Sequence, residues 1–446
     1  MLSSTPDPSG EYIVKGGYVL TLDPQLGDLA RGDVHVRDGA IVAVGEDISS
    51  PDVQTFDAAG CIVMPGFVET HWHHWECCLR GHLRADDPVN GYFPLTARLC
   101  SCYQPADSAN AVRLAAADGL LSGITTLHNW SQNVRDPEFA WAELEALNEM
   151  GVRARFSYGV ARDYAPQELT PFQPLGQMVE KAARLSRITV GVGLRTPMIA
   201  AGSGFSIDLL EREIRESRRL GLPLVMHVGG KGIVGALSAR GLLGPDFLLV
   251  HPQNMTAEEL QSVADTGTSF SIAPVIETTY SALRNGPIQY HELEALGVPM
   301  GLSIDSSAAS ASADFFGVMR ALLGSSWRQA AAPVRLAPKK LIELATIDGA
   351  KILGLDHLIG SLTPGKRADF IMVRHDEPNV APMIDPYYSL VFSAQPRNVT
   401  LVAVDGDILV RNGSLQRHSG AALAAAVAES ALNIDNRSKS AAASLS

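Results

Sequence analysis

The chain has 446 residues and a formal charge of −12, with 46% hydrophobic and 19% charged residues. That balance excludes a disordered chain, which is poorer in apolar residues, and the acidity without clustered Lys or Arg argues against a nucleic-acid partner. No apolar run reaches the roughly 18–20 residues that span a bilayer, so no membrane association is expected.

The opening dozen residues, MLSSTPDPSGEY, show no basic segment leading into an apolar one, so no secretory signal is expected. Residues 1–64 then read as short strands with turns. GEYIVKGGYVLTLD, GDVHVRDGAIVAVG and TFDAAGCIVMPG alternate β-branched and polar residues around Gly and Asp-Gly. The same texture returns over 361–414, where ADFIMVRHD is strand-like and VTLVAVDGDILVRNG predicts a hairpin at Asp405-Gly406. Both chain ends are therefore expected to build one small β-sandwich domain.

Between them, residues 65–360 alternate apolar runs with helical periodicity, the pattern of a parallel sheet. Eight strands are predicted: 61–68, 123–128, 153–160, 188–194, 222–228, 247–250, 269–273 and 298–304. Asp136-Pro137 and Ser206 suit helix starts; Gly151 and Gly221 suit helix stops. Eight β/α units over about 290 residues predict an α/β fold, a (β/α)8 TIM barrel, with an open doubly wound sheet as the alternative. Residues 415–446 predict a short helix, HSGAALAAAVAESALN, followed by a disordered small and polar tail.

Five cysteines, Cys61, Cys77, Cys78, Cys100 and Cys102, form an odd, sparse set. They point to reduced thiols and a cytoplasmic protein.

The functional face of a parallel barrel is formed by the C-terminal ends of its strands. Strand one leads into Glu69-Thr70-His71-Trp72-His73, where period-two alternation sends His71 and His73 to one side. Strand five ends in His227, strand six in His251 and strand eight in Asp305. Four of eight strand ends thus deliver the nitrogen and oxygen donors that zinc or ferrous iron prefers. A lone histidine is more often structural; the coincidence over four strands predicts a metal centre.

PGFVETHWHH, LVMHVGG, LLVHPQN, LSIDSSAASASADFFGVMRALL, GSLTPGKRADFIMV and VDGDILVRNG together resemble the amidohydrolase superfamily, in its cytosine-deaminase-like and triazine-hydrolase-like branch. The resemblance spans about residues 12–414. It implies that His71, His73, His227 and Asp305 hold one divalent metal, Zn2+ or Fe2+, and that His251 faces the reacting group. Barrels of this kind often assemble as homo-oligomers. Deaminases of the branch carry Glu three residues after the strand-five histidine, where this chain has Gly230. Lys231 and Glu277 are candidates to replace it. Binuclear relatives carry a bridging ligand at the end of strand four, whereas this chain reads Gly193-Leu194-Arg195-Thr196-Pro197.

The expected chemistry is metal-assisted hydrolysis. A bound divalent ion brings the pKa of water from about 15.7 to near 7. Asp305 would accept the water's proton, and His251 would stabilise charge developing on the substrate. The expected substrate is small and cyclic or heteroaromatic, cleaved at a C–N bond of an amide, an amidine or an amino- or halo-substituted ring. Trp72, Trp75, Tyr92, Phe93 and Trp130 are candidates to stack on it. A metal-dependent lyase such as a decarboxylase, and a non-catalytic barrel scaffold, are the competing readings. Gly230-x-Gly232-x-x-Gly235 matches a dinucleotide fingerprint, but it stands in the fifth β/α unit and no acidic residue ends the next strand.

Overall fold

The computed structural model describes residues 10–84, 87–197, 205–229, 232–279, 285–310, 312–329 and 335–443. They form two sheets.

The first sheet has nine strands drawn from both ends of the chain. Its order is Ser414–Leu415, Asp407–Arg411, Val399–Val404, Phe370–Arg374, Cys61–Pro65, Glu11–Val19, Leu29–Arg37 and Ala40–Gly45, with Gln54–Asp57 also paired to Glu11–Val19. Two hairpins turn on Asp-Gly pairs. Asp38 and Gly39 have φ of 52° and 74°, and Asp405 and Gly406 have 55° and 79°. Two successive positive φ values give a turn whose twist matches that of the flanking strands. Alternate residues, among them Val14, Val34, Val36, Val63 and Phe370, meet in a core of their own.

The second sheet is the barrel. Its strands are β1 (Phe67–Val68 and Trp72–His73), β2 (Ile124–Val134), β3 (Arg153–Val160), β4 (Ile188–Gly193), β5 (Leu224–His227), β6 (Phe247–Val250), β7 (Ser269–Ile272) and β8 (Met300–Leu302 and Asp305–Ser306). All neighbours pair in parallel. Met300–Leu302 pairs with β7, and Asp305–Ser306 pairs with β1, which closes the ring. The Asp305 amide donates to the His71 carbonyl at 2.9 Å across that seam. The sheet is therefore closed, not open and doubly wound.

One predicted strand divides. Cys61–Pro65 pairs antiparallel with Phe370–Arg374 in the first sheet, and only the residues after Gly66 join the barrel. Gly66 stands at the crossing, where a Cβ would come within 2.2 Å of the Thr125 side chain, so a larger residue does not fit. The helix Pro137–Met150 starts at Asp136, whose carboxylate accepts from the Glu138 and Phe139 amides, and stops at Gly151 with φ 72°. The helix Ile207–Arg219 starts at Ser206 in the same manner.

The sheets are joined by ion pairs at the N-terminal ends of β3 and β4. Arg153 contacts Asp369 at 2.8 Å and Asp405 at 3.2 Å; Arg187 contacts Asp405 at 3.2 Å and Asp407 at 2.6 Å. This leaves the C-terminal ends of the strands free for chemistry.

The tail differs from expectation. A single helix, Gly420–Ala443, continues through most of the stretch predicted to be disordered. Arg437 explains it, donating to the Cys102 carbonyl and pairing with Asp107 at the start of the helix Pro105–Leu121. Among the described residues no helix is long and apolar enough to cross a membrane.

Candidate metal centre and active site

Strand alternation sends Glu69, His71 and His73 toward the barrel axis, and β5 and β8 bring His227 and Asp305 to meet them. One ligand atom from each of His71, His73, His227 and Asp305 lies within 4.8 Å of all the others. His71 Nε2 is 3.2 Å from His73 Nε2 and 3.1 Å from His227 Nε2. Asp305 Oδ1 is 3.1 Å from His73 Nε2 and 3.5 Å from His71 Nε2. Donors about 2.0–2.1 Å from a tetrahedral cation stand roughly 3.3 Å from each other, so the spacing fits one ion.

The charges fit as well. Burial pulls His71 down to about 3, which leaves it neutral with a lone pair to give. Burial also pushes the Asp305 carboxyl upward, but hydrogen bonding to His227, His71 and His73 outweighs this and holds it well below the usual carboxylate range. Three imidazoles and one carboxylate are a donor set suited to zinc or ferrous iron.

His251 stands beside the four. Its Nε2 is 3.6 Å from Asp305 Oδ2, and its Nδ1 is 3.1 Å from Glu277 Oε1. Glu277 is 1% exposed and also accepts the Ala273 amide at 3.0 Å. Its side chain is fully buried and turned to His251. Burial lowers His251, but the Glu277 hydrogen bond and the Asp305 charge more than offset it, so the ring is more basic than usual. His251 and Asp305 have φ of 71° and 66°. Side-chain-bearing residues rarely adopt that conformation, and such strain concentrates at functional sites.

The five aromatic candidates take different places. Trp72 and Trp75 are fully buried; Trp72 donates to Ser307 at 2.7 Å, and Trp75 packs against Tyr103. They belong to the core, because the turn after β1 runs into a short helix, His74–Leu79, buried along its whole length. Trp130 does reach the site, where its indole packs against the imidazoles of His71, His73 and His227. Tyr92 donates to Glu76 at 2.8 Å, whereas Phe93 is largely exposed. Gly230 and Lys231 lie outside the described residues.

Sequence reasoning missed two carboxylates. Glu69 is fully buried, accepting the His71 amide at 2.7 Å, the His128 amide at 3.2 Å and the Ile304 amide at 3.3 Å. It ties β1, β2 and β8 together directly beneath the centre. Burial pushes it up to about 8. Its parity with His71 and His73 was the available signal. Glu76, also fully buried, accepts from Tyr92 and from Ser306, the neighbour of Asp305. No spacing rule pointed to it.

A closed eight-stranded β/α barrel with a His3Asp cluster at the C-terminal ends of its strands defines a class of metal-dependent hydrolases. The chain belongs to the amidohydrolase family, whose pattern matches residues 62–409. It is 30% identical over 425 residues to a 5-methylthioadenosine/S-adenosylhomocysteine deaminase of Halobacterium salinarum, covering 90% of this chain and 92% of that one. It is 27% identical over 420 residues to a 5'-deoxyadenosine deaminase of Methanosarcina mazei, covering 90% and 93%. Among solved structures, an adenosine deaminase from Xanthomonas campestris with bound zinc superposes with a TM-score of 0.84 at 21% identity, over 97% of this chain and 100% of that one. The zinc complex of an atrazine chlorohydrolase from Arthrobacter aurescens superposes with a TM-score of 0.79 at 20% identity, over 94% and 100%.

Proposed function

We propose that this amidohydrolase displaces an amino group from a ring carbon of a small nitrogen heterocycle, in the manner of the nucleoside deaminases it is similar to. The observation that carries this reading is the convergence of His71, His73, His227 and Asp305 next to a His251–Glu277 pair. The four residues would hold one divalent ion, zinc or ferrous iron. When bound, the ion supplies a water acidified toward neutral pH.

Asp305 has a second oxygen, Oδ2, turned toward His251 Nε2 at 3.6 Å. It takes the proton of the attacking water and passes it on toward the leaving group. His251 donates from Nε2 to the ring atom where negative charge develops, while Glu277 fixes the tautomer by accepting from Nδ1. Asp305, His71 and His73 are buried, whereas His227 and His251 keep side-chain exposures of 22% and 13%.

Gly230 favours a second reading. A leaving group that departs as a stable anion, such as halide, needs less protonation than an amine and tolerates the missing carboxylate better. The two are separated by one panel on the purified, metal-analysed protein: 5'-deoxyadenosine, methylthioadenosine, S-adenosylhomocysteine, and amino- and chloro-substituted triazines. Ammonia release supports the first reading and chloride release the second. Full turnover after exhaustive chelation would reject both.

A further inference from the structure

Histidine ligands are ordinarily aimed by a hydrogen bond from their second ring nitrogen to a carboxylate, carbonyl or water. Here His71 Nδ1 and His73 Nδ1 are buried and have no such partner among the described residues. Something else holds these rings. The Trp130 indole touches all three imidazoles, with ring centroids 4.9 Å from His71, 4.9 Å from His73 and 3.9 Å from His227.

The indole is itself held by two glycines. A Cβ on Gly193, the last residue of β4, would stand 1.6 Å from Trp130 Nε1 and 2.2 Å from its Cδ1. A Cβ on Gly159, near the end of β3, would meet Trp130 Nε1 at 3.3 Å and the Ser131 carbonyl at 2.7 Å. The indole edge thus fills the space that side chains at the ends of β3 and β4 would take. Its Nε1 is buried without a hydrogen-bond partner among the described residues, and leaving a buried donor without one costs free energy.

We propose that Trp130 is the positioning residue of the metal centre: wedged into a slot between Gly159 and Gly193, it aims three imidazoles by packing, in place of the hydrogen bonds that His71 and His73 lack. The proposal rests on the ligand set given under Proposed function. Trp130 is therefore a wall of the centre and not a stacking platform for substrate. It also makes Gly193 part of the site, although Gly193 has no atom that can reach the ion.

The test is the rate at which zinc is lost to excess EDTA, with the visible spectrum of the cobalt-substituted protein as a second readout. W130A is expected to lose zinc roughly 10–100-fold faster, in line with the loss of metal affinity when a contact that orients a ligand is removed, and to shift the cobalt bands. G193A keeps every ligand and every indole atom. It is expected to act in the same direction, because the added methyl expels the indole. In the W130A background the same G193A change is expected to add nothing. W130F, which keeps a ring, should fall between wild type and W130A.

Lowered melting temperature in W130A and G193A with unchanged zinc loss and unchanged cobalt bands would overturn the proposal, leaving Trp130 as packing alone. G193A decides the matter if W130A does not fold. Wild-type protein that binds no zinc or cobalt would instead overturn the ligand set, a separate and earlier failure.

Discussion

Asp305 is asked to do two things, and its surroundings explain how. One oxygen faces three imidazoles and the other faces His251. Replacing it with Ala is expected to lower kcat by at least roughly 10³-fold, within the range for loss of a positioned acid or base. His375→Ala on the first sheet should leave kcat unchanged, since its backbone amide, which pairs with Gly60, is retained. Steady-state kinetics on protein of matched metal content check both. Glu277→Gln keeps the shape but lets the amide present a donor to His251 Nδ1. Turnover is expected to fall by roughly 10²-fold with metal content unchanged; a normal rate would show that His251 needs no such partner. The histidines and Asp305 were legible in the sequence because strand parity and strand ends are one-dimensional patterns. Glu76 was not legible, because its partners Tyr92 and Ser306 are brought to it only by the closed ring.

At the level of elements, β2 separates its duties by alternation. His128 and Trp130 face the barrel axis, while Asn129 and Ser131 face the helix Pro137–Met150 and donate to Glu143 at 2.8 and 3.0 Å. Glu143 is fully buried, and burial pushes it up to about 7. Its folded pKa therefore lies above the ordinary value of 4.5. The folded state binds the extra proton between those values, so this stabilising contribution is complete below pH 4.5 and is lost as pH rises through 7. Glu143→Gln is expected to raise the melting temperature at pH 8, by an amount on the order of 1–3 kcal/mol in stability, and to change little at pH 5. The tail helix gives a second case. Arg437→Ala removes the partner of Asp107 and is expected to lower stability by about 1–3 kcal/mol, with activity per folded molecule retained. Thermal melts and hydrogen exchange along Gly420–Ala443 check it. The sequence showed the small polar residues of this segment but not Asp107, 330 positions away, so its local composition read as disorder.

For the whole molecule, fold class was the most legible feature. Hydrophobic periodicity and eight apolar runs sufficed for a barrel, and Asp-Gly turns sufficed for hairpins in the flanking sheet. What periodicity could not give was the boundary at Gly66. The run 61–68 carries no polar residue, and only the pairing of its two halves with different sheets shows where it leaves one for the other.

The seam between Cys61–Pro65 and Phe370–Arg374 has a consequence for biogenesis. The first of these strands leaves the ribosome about 300 residues before the second exists. At about 5–20 residues per second, it waits roughly 15 to 60 s with one edge open. An open edge is a template for pairing with other chains, so the nascent protein passes through an interval of aggregation risk that ends only when its last strands arrive. Covering that edge during synthesis, as a chaperone does, would then raise the yield of folded protein.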